Sequence, residues 1–141
     1  MIILAFEVLG SPVAQGSMIA ISSKRGGRPM LKYTNESVLK AWRKRVERAA
    51  RLAAATVGGF PKVDQALGLS ATFWLERPMS VTRVYPTVPP DLDKMVRAIG
   101  DALSGIVYQD DKQLTTISAI KRYAAGFPPC AVLEITQEDD E

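Results

Sequence analysis

The residues of this sequence best suited to chemistry are two close pairs of aspartates, Asp91/Asp93 and Asp110/Asp111. Carboxylates this close together repel one another unless a cation or solvent screens them. If Asp91, Asp93 and Asp111 meet in space, they form an oxygen-only site of the kind that Mg²⁺ prefers, in which water and a substrate phosphate complete the octahedron. A metal held in this way activates water and stabilises the leaving oxygen in phosphodiester hydrolysis.

The composition excludes most other catalytic chemistries. The 141 residues include no His, which rules out Ser–His–Asp and Cys–His nucleophiles, imidazole acid–base steps and His-ligated zinc. The single Cys130 rules out an internal disulfide and suits a reducing compartment. There is no cationic leader and no apolar stretch of about 20 residues, so we expect a cytoplasmic protein with no membrane partner.

Charge is distributed unevenly along the chain, although the net charge is only +3. Residues 1–90 have an excess of Lys and Arg, whereas residues 91–141 have an excess of Asp and Glu. A basic half beside a small acidic focus suits a protein that binds a polyanion and places metal ions on it, and chance clustering on a solvated surface is the alternative. One basic loop is predicted either to contact phosphate or to serve solubility, through Lys24, Arg25, Arg28 and Lys32.

A helix that begins just after Pro89-Pro90 is predicted to carry the first acidic pair. Asp91 is the natural N-cap, and Asp93 falls in the first turn, where the positive helix end stabilises carboxylates. Arg97 and Asp101 follow on the same face at four-residue intervals. An ordinary N-cap with i, i+4 ion pairs is the alternative. The Asp110-Asp111 turn favours a functional site, provided that the chain returns to the helix N-terminus along the next strand. The helical spacing is carried by Leu92, Met95, Val96, Ile99, Ala102 and Leu103, with Gly105 as the C′ residue.

The chain as a whole is predicted to be α+β, in the order β, α, β, α, β, β, with two main helices packed on one face of a small mixed sheet. Apolar runs and alternation predict strands over residues 2–8, 66–76, 113–123 and 130–136. Residues 9–33 and 77–90 are predicted to be connections. The first helix is predicted to run from an N-cap at Thr34 or Asn35 to about Thr56, with a buried stripe of Val38, Trp42, Val46, Ala49 and Ala53.

The run from Asp91 to Leu114 resembles the RusA-type Holliday junction resolvase family. That family shows D-x-D-N-x-x-K at a helix start, a later D-x-L on the same helix, and a D-D pair beyond the helix. The corresponding segments here are Asp91-Leu92-Asp93-Lys94-Met95-Val96-Arg97, Asp101-Ala102-Leu103 and Asp110-Asp111. The segment Lys121-Arg122-Tyr123 is similar to the family's basic strand. Lys94 stands where Asn is usual and Arg97 where the family has a functional Lys; Arg keeps the charge but is a poor proton donor.

The resemblance implies a small α+β homodimer that resolves four-way or otherwise branched DNA by paired nicks, with Mg²⁺ as cofactor and Mn²⁺ as the alternative ion. It implies that Asp91, Asp93 and Asp111 bind metal and are catalytic, that Asp110 supports metal binding, and that Arg97 is catalytic. Further DNA contacts are expected from Lys94, Lys121 and Arg122. A single endonuclease domain is expected over residues 1–137, followed by an acidic tail at 138–141.

Two other functions remain open from the residues alone. A non-catalytic branched-DNA-binding protein would use the same basic surface, with the acids only capping a helix. A restriction-like nuclease of the PD-(D/E)xK type would use Pro90-Asp91 and Asp110-Asp111-Lys112. Such nucleases usually place both motifs on strands, whereas a helix is predicted after Asp91.

Overall fold

The computed structural model of the chain describes residues 1–16, 18–21, 30–33, 36–58 and 64–138. The elements in chain order are β1 (Ile2–Leu9), β2 (Met18–Ile21), β3 (Met30–Tyr33), α1 (Glu36–Ala54), β4 (Leu67–Leu75), α2 (Leu92–Leu103), β5 (Leu114–Tyr123) and β6 (Cys130–Gln137). A single 3₁₀ turn, Asp111–Gln113, precedes β5. The predicted α+β class is confirmed. Within the described residues, no helix is long and apolar enough to cross a membrane.

Four strands form one mixed sheet in the order β1-β6-β4-β5. β6 pairs antiparallel with both β1 and β4, whereas β4 pairs parallel with the edge strand β5. A parallel pair cannot be joined by a tight turn and needs a crossover, which α2 provides here. The crossover places α2 against β5, so the two acidic pairs at either end of α2 lie along that edge of the sheet.

One face of this sheet is buried against both helices. Leu69 and Phe73 of β4 are buried, and the same core includes Trp42 of α1 and Met95 of α2. α1 contacts β1, α2 contacts β5, and the helices contact each other. The alternate side chains of β4, which include Trp74, lie on the opposite face and are half-buried. The alternation predicted for this strand is therefore confirmed.

The buried stripe of α1 differs from the predicted one at its first residue. Trp42 and Val46 are buried as predicted, but Val38 is 57% exposed, so its predicted burial is wrong. In a helix of 3.6 residues per turn, residues four apart are displaced by about 40° around the axis. Val38 lies two such steps before Val46 and is therefore rotated out of the core. Leu39 packs against the core in its place. The N-cap predicted at Thr34 or Asn35 lies outside the described residues.

A two-stranded antiparallel sheet interrupts the segment that was predicted to be a connection over residues 9–33. β2 pairs with β3 from Met18 opposite Tyr33 to Ile21 opposite Met30. The prediction of an unbroken loop is therefore wrong. Each strand has only four residues, which is too short for alternation to be recognised among the surrounding Gly and Pro residues.

Candidate active site

The first acidic pair lies at the N-terminus of α2, with both carboxylates accessible. Asp91 is the N-cap residue: its backbone is extended (φ −72°, ψ 135°) and its carbonyl accepts a hydrogen bond from the Met95 amide at 3.1 Å. The Asp91 carboxylate itself makes no capping hydrogen bond. Asp93 is 77% exposed, and its Oδ2 lies 3.9 Å from Lys94 Nζ. Neither carboxylate is occupied in holding the helix together, so both are accessible to a ligand.

Arg97 lies one turn further along α2 and is exposed. Within the described residues it forms no salt bridge with Asp93 or Asp101, although the four-residue spacing would allow either. Its side chain borders a groove between α2 and β5, whose walls include Val96 and Ile117. The alternative of an ordinary N-cap with i, i+4 ion pairs required a capping Asp91 side chain and pairing of Arg97 with Asp93 or Asp101. Among the described residues neither interaction is present, and Asp93 and Asp101 instead lie 3.9 Å from Lys94 and Arg43. An exposed arginine beside two accessible carboxylates is instead suited to binding a phosphate.

Lys121 on β5 fixes the chain just before Asp91. Its ammonium donates hydrogen bonds of 2.9 Å to the carbonyls of Val88 and Pro90. These bonds tie the end of the connection over residues 77–90 to β5, and they position the N-terminus of α2. Lys121 was predicted from the sequence as a DNA-binding residue; here two of its three N–H groups are directed at backbone carbonyls.

The second acidic pair lies beyond the C-terminus of α2, where Gly105 (φ +83°) ends the helix. Asp110 caps the 3₁₀ turn: its Oδ1 accepts a hydrogen bond of 2.9 Å from the Lys112 amide, and Gln113 Oε1 accepts one from the Gln109 amide at 3.0 Å. The bond from Lys112 lowers the pKa of Asp110. Gln113 is buried and donates to the Gln65 carbonyl at 3.1 Å, which anchors the turn to the start of β4.

Asp111 is surrounded by other carboxylates. Desolvation raises its pKa, and the adjacent carboxylates of Asp110 and Asp101 raise it further. Like-charge repulsion from Asp110 and from Asp101 therefore disfavours the ionised form of Asp111. A cation bound at Asp111 would relieve that repulsion.

Asp101 connects the acids at the C-terminal end of α2 to Gln15 and to α1. Its Oδ2 accepts a hydrogen bond of 2.6 Å from Gln15 Nε2 and lies 3.9 Å from the Arg43 guanidinium of α1. The backbone N–H of Gln15 donates a hydrogen bond of 3.0 Å to the Lys94 carbonyl, so Gln15 contacts both halves of α2. Neither Gln15 nor Arg43 can be recognised from the sequence, because Gln15 is 86 residues from Asp101 and no local pattern marks either contact.

The two acidic groups are separated by nearly the whole length of α2. Asp91 and Asp101 are ten residues apart in the sequence, which is about 15 Å along a helix axis. Asp111 lies beside Asp101, so a single chain does not bring Asp111 to Asp91 and Asp93. Accordingly, the described residues contain no cluster of three or more His, Cys, Asp or Glu that could hold a metal ion. β5 does run back along α2, but Asp111 precedes that strand and stays at its start.

The other predicted DNA-binding residues are only partly described. Lys94 is half-buried beside Asp93, and Arg122 lies on β5 with its guanidinium over the ring of Tyr85. Lys24, Arg25 and Arg28 lie outside the described residues, and Lys32 belongs to β3, of which only the backbone is described. Their predicted contacts with phosphate stay predictions.

Accessible carboxylates, an arginine that forms no salt bridge with another described residue, and an excess of Lys and Arg over residues 1–90 together suit a protein that cleaves or binds a polyanionic phosphodiester. The model of the family described as "Endodeoxyribonuclease RusA" matches residues 10–135 of the 141. The chain therefore belongs to the RusA endodeoxyribonuclease family, and the resemblance seen in the sequence is confirmed. As a member it is an endonuclease of the Holliday junction resolvase class. No curated protein sequence matches the chain significantly.

Proposed function

We propose that this protein resolves four-way DNA junctions by paired, divalent-metal-dependent hydrolysis of two phosphodiester bonds, and that it acts as a homodimer. Family membership gives the endonuclease activity on Holliday junctions. The observation that carries the metal-dependent mechanism is the placement of Asp91 and Asp93, whose carboxylates neither cap α2 nor pair with Arg97. We assign the activity to one domain over residues 1–137.

The donor set fits a hard divalent cation such as Mg²⁺ or Mn²⁺. Asp91, Asp93 and Asp111 supply only carboxylate oxygens, and the described residues around them include no competing thiolate. When bound, the ion lowers the pKa of its water and stabilises the leaving oxygen. Asp110 orients the turn that presents Asp111 through its bond to the Lys112 amide. Arg97 holds a non-bridging oxygen of the scissile phosphate, and Lys94 adds positive charge beside it.

A dimer explains how acids from opposite ends of α2 act together. A two-fold axis can bring Asp91 and Asp93 of one protomer to Asp111 of the partner subunit, and by symmetry the reciprocal site forms as well. Two equivalent sites match the two equivalent strands that must be cut to resolve a four-way junction. In this arrangement a monomer has no complete metal site, which agrees with the separation of the acids within one chain.

The restriction-like alternative receives no support from the fold. Its motifs would lie on strands, whereas Asp91 begins a helix and Asp111 lies in a 3₁₀ turn. A purely DNA-binding role would leave the exposed Asp91 and Asp93 carboxylates close to phosphate, where their charge weakens binding and serves no purpose.

Cleavage of a labelled four-way junction in Mg²⁺ or in EDTA tests the activity, with linear duplex of the same sequence as the control. We expect paired nicks in the junction with Mg²⁺, and binding without cleavage in EDTA. Equal cleavage in EDTA would contradict the metal-dependent mechanism.

Mixing two inactive variants tests the shared site. In a heterodimer of Asp91→Asn with Asp111→Asn, a site shared between protomers regenerates one intact set of acids, so single-strand nicking returns. If each site lies within one chain, both sites of that heterodimer are damaged and no nicking returns. Homodimers of each variant are the matched controls, and sedimentation or light scattering establishes the dimer itself.

A further inference from the structure

The connection over residues 77–90 forms an exposed surface of arginines and aromatic rings against the end of β5. We define this arginine–aromatic surface by Arg77, Met79, Arg83, Tyr85, Arg122 and Phe127. Its rings lie partly in solvent: Tyr85 is 56% exposed and Phe127 is 43% exposed. Exposed aromatic residues that cluster with unneutralised cations are unusual on a surface that serves only solubility.

Planar groups lie in a row on the face of the sheet away from the helices. The Arg122 guanidinium lies 5.0 Å from the centroid of the Tyr85 ring. Arg122 and Trp74 are register partners on neighbouring strands, about 4.8 Å apart at the backbone. The Trp74 ring in turn meets the Phe127 ring edge-on at 5.1 Å. Tyr85, Arg122, Trp74 and Phe127 thus follow one another across β5 and β4.

Two more arginines lie around the end of the edge strand, beside Tyr123, whose side chain packs against the core on the helix side of the sheet. Arg83 Nε donates a hydrogen bond of 2.9 Å to the Tyr123 hydroxyl, and the Arg77 guanidinium lies 5.9 Å from the centroid of the same ring. Within the described residues, none of the three arginines forms a salt bridge. The rings, and for Arg122 also a hydrogen bond of 2.8 Å from Nη1 to the Lys121 carbonyl, orient these guanidinium groups. No described carboxylate neutralises them, so their charge is available to a ligand.

Met79 projects from the surface at the tip of a turn. The turn is closed by a hydrogen bond of 3.0 Å from the Val81 amide to the Pro78 carbonyl. The Met79 side chain is fully exposed, so its apolar surface is accessible to a partner. An apolar side chain on a constrained turn between two arginines has the form of the wedges that proteins insert between base steps.

The same connection leads directly into the proposed site. It continues from Tyr85 through Pro89-Pro90 to Asp91, and Lys121, the neighbour of Arg122, holds its last residues. Because β5 is the edge strand, a DNA strand that passes around this edge from the arginine–aromatic surface would reach the acids at the N-terminus of α2. A ligand for this surface must offer flat faces for stacking together with negative charge.

We propose that the arginine–aromatic surface binds unpaired, unstacked bases of branched DNA, so that the branch point is opened next to the cleavage site; this rests on the proposed junction-resolving function. Bases stack on aromatic rings and on guanidinium planes regardless of sequence, and the arginines meet the flanking phosphates. A fully stacked duplex offers the surface only its phosphates. The surface therefore discriminates between open and closed DNA.

The test uses single-stranded oligothymidine, linear duplex, and a four-way junction carrying 2-aminopurine at the branch point, all in EDTA. We expect wild type to increase the 2-aminopurine fluorescence, as unstacking does. Tyr85→Ala and Arg122→Lys should weaken oligothymidine binding about tenfold, which is typical for loss of one stacked base. They should leave duplex affinity within about twofold, since Arg122→Lys retains its charge. Met79→Ala should reduce the fluorescence change.

The control variants are Leu52→Ala and Arg51→Lys, which change exposed residues of α1 away from this surface. They should bind all three DNAs like wild type. Equal losses on duplex and single strand for the Tyr85 and Arg122 variants would overturn the proposal, since the surface would then contact only phosphate. An unchanged 2-aminopurine signal in all three surface variants would overturn it as well. Thermal unfolding of each variant shows that any loss does not come from a failure to fold.

Failure of the base-binding proposal can be distinguished from failure of the proposed function, because every binding and fluorescence measurement is made without metal. Selective loss of single-strand binding in a protein that never cleaves junctions would refute the resolving activity and leave the base-binding surface standing. Normal metal-dependent cleavage by wild type, with no selective loss in the surface variants, would refute the base-binding surface alone.

Discussion

Replacing Lys121 by Met tests whether this lysine positions the active site or contacts DNA. The aliphatic part of the side chain is retained, while the hydrogen bonds to the Val88 and Pro90 carbonyls are lost. A hydrogen bond from a charged donor contributes about 1.5–3 kcal/mol when buried. One of these two bonds is exposed and the other half-buried, so we expect the free energy of unfolding to fall by only about 1–2 kcal/mol in total.

The effect on cleavage should be larger than the effect on binding. Without Lys121 the residues just before Asp91 lose their tie to β5, so the Asp91 carboxylate is no longer held in place. Misplacement of a reacting group by about 1 Å can cost on the order of 100-fold in rate. The single-turnover rate on a four-way junction should therefore fall at least tenfold, while affinity in EDTA changes little.

Lys44→Met is the matched control, since Lys44 lies on the exposed face of α1 and its loss also removes one positive charge. Chemical denaturation gives the stability, and a salt titration of junction affinity gives the number of phosphate contacts. A lysine that binds phosphate contributes about 0.9 to the slope of log affinity against log salt. Unchanged stability together with a slope reduced by that amount would show that Lys121 contacts DNA, and would refute the positioning role.

Four further predictions concern the acids, Arg97 and salt. Asp91→Asn should abolish nicking and leave junction affinity in EDTA equal or higher, because a negative charge near phosphate is removed; normal nicking would refute its assignment. Asp111→Asn should also abolish nicking but raise thermal stability at pH 7. The pKa of Asp111 in the folded protein is raised above its ordinary value of 3.8. Its ionisation therefore destabilises the folded state as the pH rises from 3.8 through the raised pKa. The stability gain should therefore disappear below about pH 3.8, and a gain that persists there would show that charge is not its cause. Arg97→Lys should retain or improve the cleavage rate, since the family has Lys at this position; complete loss would show that the planar guanidinium is required. Junction affinity should fall steeply with salt because several phosphates are contacted, and a flat response would argue against phosphate-dominated binding.

Local pattern was sufficient to predict the helix that carries the first acidic pair. The Pro89-Pro90 pair, the apolar spacing from Leu92 and the glycine at position 105 placed α2 with Asp91 as its N-cap, and the structure confirms each point. That the Asp91 carboxylate caps nothing could not be predicted, since the residue type and position are those of an ordinary cap.

Failures of prediction occurred where local signals were short or where the helical period mattered. β2 and β3 have four residues each, and their pairing depends on contacts between separate segments. Val38 was assigned to the core because four-residue spacing approximates the helical repeat, but the drift over successive turns moves it into solvent.

The sequence alone determined which acidic residues are available, because the chemistry of a carboxylate belongs to the residue. It also determined which of them lie on α2, because helical periodicity is a local property. The tertiary structure decided which of them are neighbours. The turn after α2 is held at the C-terminal end of the helix by the Asp110–Gln113 capping box and by the bond from Gln113 to Gln65, about 50 residues earlier in the chain. That distant contact places Asp111 beside Asp101 rather than Asp91, since the direction in which a turn leaves a helix depends on what the turn packs against.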